Sequence, residues 1–120
     1  MQMLSMLLIG LVAFEHLYFL YLEMFAWTAK KTRRAFGTTE EFAEASKSLA
    51  ANQGLYNGFL SAGLVWSLFQ PDAAFALQLK TFFLVCVIVA ALYGAYSVKM
   101  RILYLQGGPA IAALVVTLLA

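Results

Sequence analysis

Long apolar runs restrict the fold of this chain more than any other feature. The first run extends over residues 3–27, and its only acidic or basic side chains are Glu15, His16 and Glu23. A helix of roughly 20 apolar residues crosses a hydrocarbon core about 30 Å thick, so this run is long enough to span a bilayer. Further apolar runs follow it. We therefore expect membrane-spanning helices rather than a water-soluble core.

The composition supports the same class. Hydrophobic residues make up 63% of the 120 residues, charged residues make up 12%, and the mean hydropathy is +0.82. Soluble domains carry about 25% charged residues, so this chain lacks the charge for an ordinary water-facing surface. A net charge of +2 is too small to indicate nucleic-acid binding. The expected partner is the lipid bilayer, and no nucleic acid is expected.

The pattern of runs and breaks predicts an all-α polytopic membrane protein, with four transmembrane helices in an antiparallel bundle and one domain over residues 1–120. The helices are expected at residues 3–27, 39–69, 74–97 and 100–119.

Short signals mark the helix boundaries. Thr38 and Glu41 have the spacing of a capping box, which predicts that the second helix begins near residue 39. Proline is poorly tolerated inside a helix but starts one well, so Pro71 in "QPDA" indicates a tight connection before the third helix. The "QGGP" stretch at residues 106–109 predicts a kink or a packing notch in the fourth helix.

The basic residues predict the orientation in the membrane. One cluster follows the first helix and a second lies between the third and fourth helices: Lys30, Lys31, Arg33 and Arg34, then Lys99 and Arg101. Both connections lie on the same side of a four-helix protein, and the positive-inside rule assigns that side to the cytoplasm. We expect a bacterial inner (cytoplasmic) membrane protein with both termini outside and cytoplasmic basic loops.

The acids and the histidine of the first run are costly in hydrocarbon. Glu15 and His16 are expected near the bilayer midplane, where a charged group costs at least ~2.5 kcal/mol. Seven residues at about 100° each bring Glu23 within ~20° of His16 around the helix, and Glu15 borders that stripe. Ionisable groups within a membrane indicate a functional site. Glu15, His16 and Glu23 are therefore the candidate catalytic residues, although whether the protein is an enzyme stays open.

The second helix offers a polar surface to face that stripe. Asn52 and Tyr56 are four residues apart and share a face, as do Gln53 and Asn57. Near the cytoplasmic end of the third helix lies Tyr93. The predicted ligand-binding set is Glu15, His16, Glu23, Asn52, Gln53, Tyr56, Asn57 and Tyr93. The alternative is that these groups only form hydrogen bonds between helices.

A metal site is not predicted. One histidine and two glutamates suit iron, manganese or zinc, but the rise from His16 to Glu23 is about 10.5 Å, too long for both to reach one ion easily. No nucleotide-binding loop, nucleophile elbow or zinc signature is present. No cofactor is expected.

Several stretches resemble a known family. The segments "LEMFAW", "ANQGLYNGFLSAGL", "ALYGAYSV" and "QGGPA" are similar to the small bacterial membrane proteins grouped as domain of unknown function 1304. The resemblance covers nearly the whole chain. It implies a small membrane protein and brings no established activity.

A more distant similarity is to the membrane-associated eicosanoid and glutathione metabolism proteins, which are trimers of four-helix subunits. It implies a homo-oligomer, with a trimer favoured. That family's glutathione signature has an Asn followed by a Glu, and an Arg before a Tyr in the third helix. Here Asn52 stands for the Asn and Tyr93 for the Tyr, but Leu55 or Tyr56 replaces the Glu and Ala91 replaces the Arg. Glutathione transfer is therefore not expected.

Three functions remain as expectations. The first is an intramembrane polar site that binds a small amphipathic or lipid-like ligand, with acid–base chemistry by His16 oriented by Glu15 or Glu23 as an option. The second is a proton-coupled transporter using Glu15, because small multidrug-resistance exporters have a similar length and a lone midplane glutamate in their first helix. The third is a structural or accessory membrane subunit.

Overall fold

The computed structural model describes all 120 residues, and every regular element is helical. The elements are α1 (Gln2–Phe25), α2 (Lys30–Phe36), α3 (Glu40–Phe69), α4 (Ala73–Ser97), a π-helical turn (Leu103–Gly107) and α5 (Gly108–Leu119). The predicted all-α class is confirmed. The first helix ends two residues before Trp27, and the basic cluster that follows it forms a helix of its own.

Two of these helices, α1 and α4, are long and apolar enough to cross a membrane. The mean hydropathy of their most apolar windows is 1.9 for α1 and 2.2 for α4. The 30-residue α3 carries more polar side chains, and the apolar stretch Leu103–Leu119 is shorter than a usual span. Length and composition thus identify two candidate spans.

The basic cluster folds as α2 because a glycine can end it in a tight turn. Gly37 has a φ of 69°, in the left-handed region that favours glycine. The backbone N–H groups of Gly37 and Thr38 both donate to the carbonyl oxygen of Arg33. This pattern satisfies carbonyl groups that a helix end otherwise leaves unpaired. The cations of α2 are exposed or half-buried, whereas Thr32 is buried.

The cap of α3 lies one residue later than the capping-box spacing predicted. The side-chain hydroxyl of Thr39, and not that of Thr38, accepts a hydrogen bond from the backbone N–H of Phe42 at 3.1 Å. The hydroxyl of Thr38 is buried without a hydrogen-bond partner. Thr38 belongs to the turn at Gly37 that ends α2, where its backbone N–H donates to the carbonyl oxygen of Arg33. The capping residue of α3 is therefore the next residue, Thr39.

The predicted tight connection before the third helix is present. The Asp72 carboxylate accepts hydrogen bonds from the backbone N–H groups of Ala74 at 3.0 Å and Phe75 at 3.4 Å, so it caps α4. In the last helical stretch, the N–H of Gly108 donates to the carbonyl oxygen of Leu103, five residues earlier. Pro109 follows directly and has no N–H to donate, which weakens the α-helical pattern at this point. The "QGGP" stretch therefore ends a π-helical turn.

The chain forms two compact units. The first consists of residues 1–14 and 60–120, and its core contains small and branched apolar side chains: Ile9, Val12, Ala13, Leu64, Leu84, Val87, Ala110 and Ala113. Two buried polar links accompany this core. The hydroxyl groups of Ser5 and Thr117 are 2.6 Å apart, and Ser61 donates to the carbonyl oxygen of Ala13 at 2.8 Å.

The second unit, residues 15–59, joins the C-terminal part of α1, α2 and the N-terminal part of α3. Its α1 and α3 segments approach closely at Gly54. A Cβ atom placed on this glycine would lie 3.0 Å from Glu23 Cβ and 3.2 Å from the Leu20 carbonyl oxygen. Gly54 is therefore required for this backbone approach. Glu23 of α1 lies at this approach and accepts hydrogen bonds from Gln53 and Asn57 of α3. The single-domain organisation stays a prediction.

Candidate functional site

Glu23 is a buried carboxylate at an electrostatically unfavourable place. Its side chain is 2% exposed, and it lies in the last turn of α1, which carries no basic residue. The C-terminal end of a helix has a partial negative charge, so this end favours cations over carboxylates. The position of Glu23 thus needs compensation from elsewhere in the fold.

Two amide side chains of α3 provide part of that compensation. Gln53 Nε2 donates to Glu23 Oε2 at 2.5 Å, and Asn57 Nδ2 donates to Glu23 Oε1 at 2.6 Å. Each carboxylate oxygen therefore accepts one amide hydrogen bond. The two donors are four residues apart and so project from one face of α3. Both partners are neutral, which leaves the charge of an ionised Glu23 without an opposite charge from them.

The predicted site residues are only partly brought together. Glu23, Gln53 and Asn57 form one cluster. The polar surface of the second predicted helix thus contacts α1 at Glu23, as the sequence predicted. Asn52 and Tyr56 are exposed. Tyr93 belongs to the other compact unit and is 68% exposed.

The other two predicted site residues of α1, Glu15 and His16, lie nearer the middle of that helix. His16 is fully buried, and its ring meets the ring of Phe19 edge-on, with centroids 5.3 Å apart. Seven residues separate it from Glu23, a rise of about 10.5 Å along the helix. Glu15 Oε1 is buried and has no hydrogen-bond partner. Glu15 is therefore separate from the Glu23 cluster.

A groove of about 300 Å³ opens beside the cluster. We call it the α1–α3 groove, and its lining is Glu23, Met24, Phe25, Trp27, Thr28, Lys47, Ser48 and Ala51. Glu23 is the only buried member of this lining. The lining thus combines one buried acidic residue with aromatic, aliphatic and small polar side chains.

The aromatic wall of the groove is held in place. Trp27 Nε1 donates to the Ser46 hydroxyl at 3.1 Å, and its ring meets the ring of Phe36 edge-on with centroids 5.0 Å apart. Lys47, the one cation of the lining, donates to Glu44 at 2.7 Å and forms an exposed ion pair with it. The indole is therefore oriented by residues from α2 and α3.

The sequence predicted only Glu23 among the eight lining residues, and the seven that it did not predict are Met24, Phe25, Trp27, Thr28, Lys47, Ser48 and Ala51. A signal for part of this set is present, since Lys47, Ala51, Gly54 and Gly58 recur at intervals of four, three and four and so share one helix face. Trp27 follows the end of α1, where helical periodicity no longer applies.

No group of three or more histidine, cysteine, aspartate or glutamate side chains is close enough to hold a metal ion. The hydrogen bonds of the cluster give it the chemistry of a carboxylate with two amide donors. Such a group binds hydrogen-bond donors and cations.

Comparison with known proteins agrees with the resemblance seen in the sequence. A family described as "Protein of unknown function (DUF1304)" matches residues 10–118. A protein of Lactococcus lactis subsp. lactis (strain IL1403) called "Uncharacterized protein YpaA" is 39% identical over 117 residues, which cover 96% of this chain and 97% of that protein. No solved structure matches the chain. The chain belongs to the DUF1304 family, whose function is unknown.

Proposed function

We propose that this protein is a four-span membrane protein of the bacterial inner membrane that binds a small amphipathic, lipid-like ligand in the α1–α3 groove. The observation that carries the proposal is the composition of the groove, whose lining includes the buried acidic residue Glu23 together with Met24, Phe25 and Trp27. Ligand sites typically combine an apolar lining with a few polar groups that orient the ligand. An amphipathic molecule offers both kinds of contact.

Two further observations support the membrane part of this proposal. The 30 residues of α3 give a helix about 45 Å long, more than the thickness of a hydrocarbon core. The exposed cations of α2, Lys30, Lys31 and Arg34, lie shortly after the end of α1 and suit contact with anionic lipid headgroups on the cytoplasmic side. The proposed orientation has both termini outside. A homo-oligomer, with a trimer favoured by the distant resemblance, belongs to the same proposal.

Filling the groove is expected to abolish ligand binding. Ala51 is half-buried in the lining, and Ala51→Phe places a ring in a space of about 300 Å³. Thermal-shift measurements with a panel of lipids and single-chain amphiphiles should show stabilisation of the unmodified protein and none of the variant. Native mass spectrometry of the purified protein provides a second readout of bound lipid.

The matched control is Ala62→Phe, which adds the same ring at an exposed position of the same helix. This variant should keep the ligand response. If no amphiphile stabilises the unmodified protein, or if both variants respond as it does, the groove is not a ligand site. The structural-subunit alternative would then be preferred.

A second function, proton-coupled transport, is favoured by one observation. Glu15 Oε1 is buried without a hydrogen-bond partner, and an ionisable group in a transmembrane segment is a common element of proton pathways. In reconstituted vesicles, Glu15→Gln is expected to reduce proton flux to the level of empty vesicles. Glu41→Gln, at an exposed position of α3, should leave the flux unchanged. Flux that is equal in both variants would exclude this role for Glu15.

A further inference from the structure

We propose that the ligand of the α1–α3 groove carries a positively charged amine on an apolar chain, and that this ammonium group binds at Glu23. This inference rests on the proposed function and adds the charge and the chemical class of the ligand head group. Three features of the groove argue for it, each of which concerns a different part of the lining.

The first feature is the uncompensated charge of Glu23, which is a member of the groove lining. Glu23 accepts one hydrogen bond from each of two neutral amides. Its position in the last turn of α1 adds the partial negative charge of a helix C-terminus, and that turn has no basic residue. Lys47, the only cation of the lining, is already paired with Glu44. A ligand cation would supply the missing opposite charge.

The second feature is the aromatic wall. Trp27 belongs to the same lining as Glu23, and its ring is held by Ser46 and Phe36. A tryptophan face attracts an ammonium group through its ring quadrupole, and proteins use aromatic walls to recognise alkylammonium ligands. A carboxylate and an indole in one groove both favour a cation, whereas both disfavour a head group that carries only negative charge.

The third feature is the apolar part of the same lining. Met24 and Phe25 line the groove, and the Phe25 side chain is 73% exposed. This surface suits an alkyl chain attached to the amine, because burial of each methylene group contributes to binding. A free alkylamine and the head group of an aminophospholipid present this same chemistry.

The experiment uses the intrinsic fluorescence of Trp27. The chain has two tryptophans, so the Trp66→Phe variant leaves Trp27 as the only reporter. The purified full chain in a neutral maltoside detergent is titrated with dodecylammonium chloride, with sodium dodecanoate and with lysophosphatidylethanolamine. Dodecanoate has the same chain as the amine but the opposite charge. Glu23→Gln keeps the shape of the side chain and removes its charge.

We expect saturable dodecylammonium binding that is at least about tenfold tighter than dodecanoate binding. In Glu23→Gln, dodecylammonium binding should be weaker by about tenfold or more. A change of about tenfold in affinity is a modest loss for a partly desolvated ion pair. Dodecanoate binding as tight as dodecylammonium binding would overturn the inference. So would a Glu23→Gln affinity within about twofold of the original value. If Glu23→Gln does not fold, the comparison of the two head groups on the unmodified glutamate decides.

The remaining arms identify the source of the amine and separate the two proposals. Tighter binding of lysophosphatidylethanolamine, weakened by Lys47→Ala, supports a membrane lipid whose phosphate contacts Lys47. Tighter binding of dodecylammonium supports a free amine. If only dodecanoate binds and Ala51→Phe blocks it, the groove is a ligand site but the cationic ligand is wrong. If nothing binds, both proposals fail.

Discussion

Substituting Gly54 with alanine is expected to lower the free energy of unfolding by about 1–3 kcal/mol, the usual cost of overpacking a close contact. The added Cβ would lie 2.8 Å from Met24 Cγ, 3.0 Å from Glu23 Cβ and 3.2 Å from the Leu20 carbonyl oxygen. The Met24 side chain can move, but the other two atoms are fixed by the backbone of α1. The helices must therefore separate. Unfolding by denaturing detergent measures the change.

The control for this substitution is Gly10→Ala in α1. A Cβ on Gly10 has no neighbouring atom within 4 Å, so this variant should be neutral or stabilised by roughly 0.5–1 kcal/mol, the usual difference between alanine and glycine in a helix. Equal destabilisation by Gly10→Ala and Gly54→Ala would contradict the close approach of α1 and α3. Since Gln53 and Asn57 reach Glu23 only across this approach, Gly54→Ala should also weaken ligand binding in the groove.

The second large effect is expected within the polar cluster. Asn57→Leu removes one of the two donors to Glu23 and leaves a buried carboxylate oxygen without a partner. The expected loss of unfolding free energy is about 1–3 kcal/mol. In a Glu23→Leu background the same substitution should cost little, because the carboxylate that needs the donor is gone. The double-mutant cycle should therefore give a coupling energy of about 1–3 kcal/mol.

Asn52 supplies the control cycle. It is an asparagine of the same helix, but it is exposed and lies outside the cluster. The effects of Asn52→Leu and Glu23→Leu should add within about 0.5 kcal/mol. A coupling between Glu23 and Asn57 that is no larger than this would mean that their hydrogen bond contributes nothing measurable to stability.

Much of the fold follows from the order of apolar runs and helix-breaking residues. The four expected apolar helices correspond to α1, α3, α4 and the stretch that contains α5. Pro71 and the two basic clusters separate the apolar runs, and each run is longer than a usual β-strand. The short α2 was not predicted. This helix ends at Gly37, which has a positive φ. Because glycine also adopts many other conformations, its presence in the sequence does not by itself predict the end of a helix.

The site was predictable to the extent that it depends on helical spacing. The four-residue interval between Gln53 and Asn57 places both amides on one face, and that face does contact Glu23. Asn52 and Tyr56 are each one residue earlier, which turns them by about 100° and away from the cluster. Trp27 could not be assigned in this way, because its orientation depends on a turn and on contacts with Ser46 and Phe36.

The π-helical turn at Leu103–Gly107 has a consequence for the length of the last helical stretch. A π-turn accommodates one residue more than an α-turn between the same two ends, so it behaves as a single-residue insertion within a helix. Ala110, Ala113 and Thr117 all follow it and are buried. A relative that lacks one residue between positions 103 and 107 can therefore close the turn as α-helix and bury the same later positions. An alignment gap of one residue is expected there without loss of the fold.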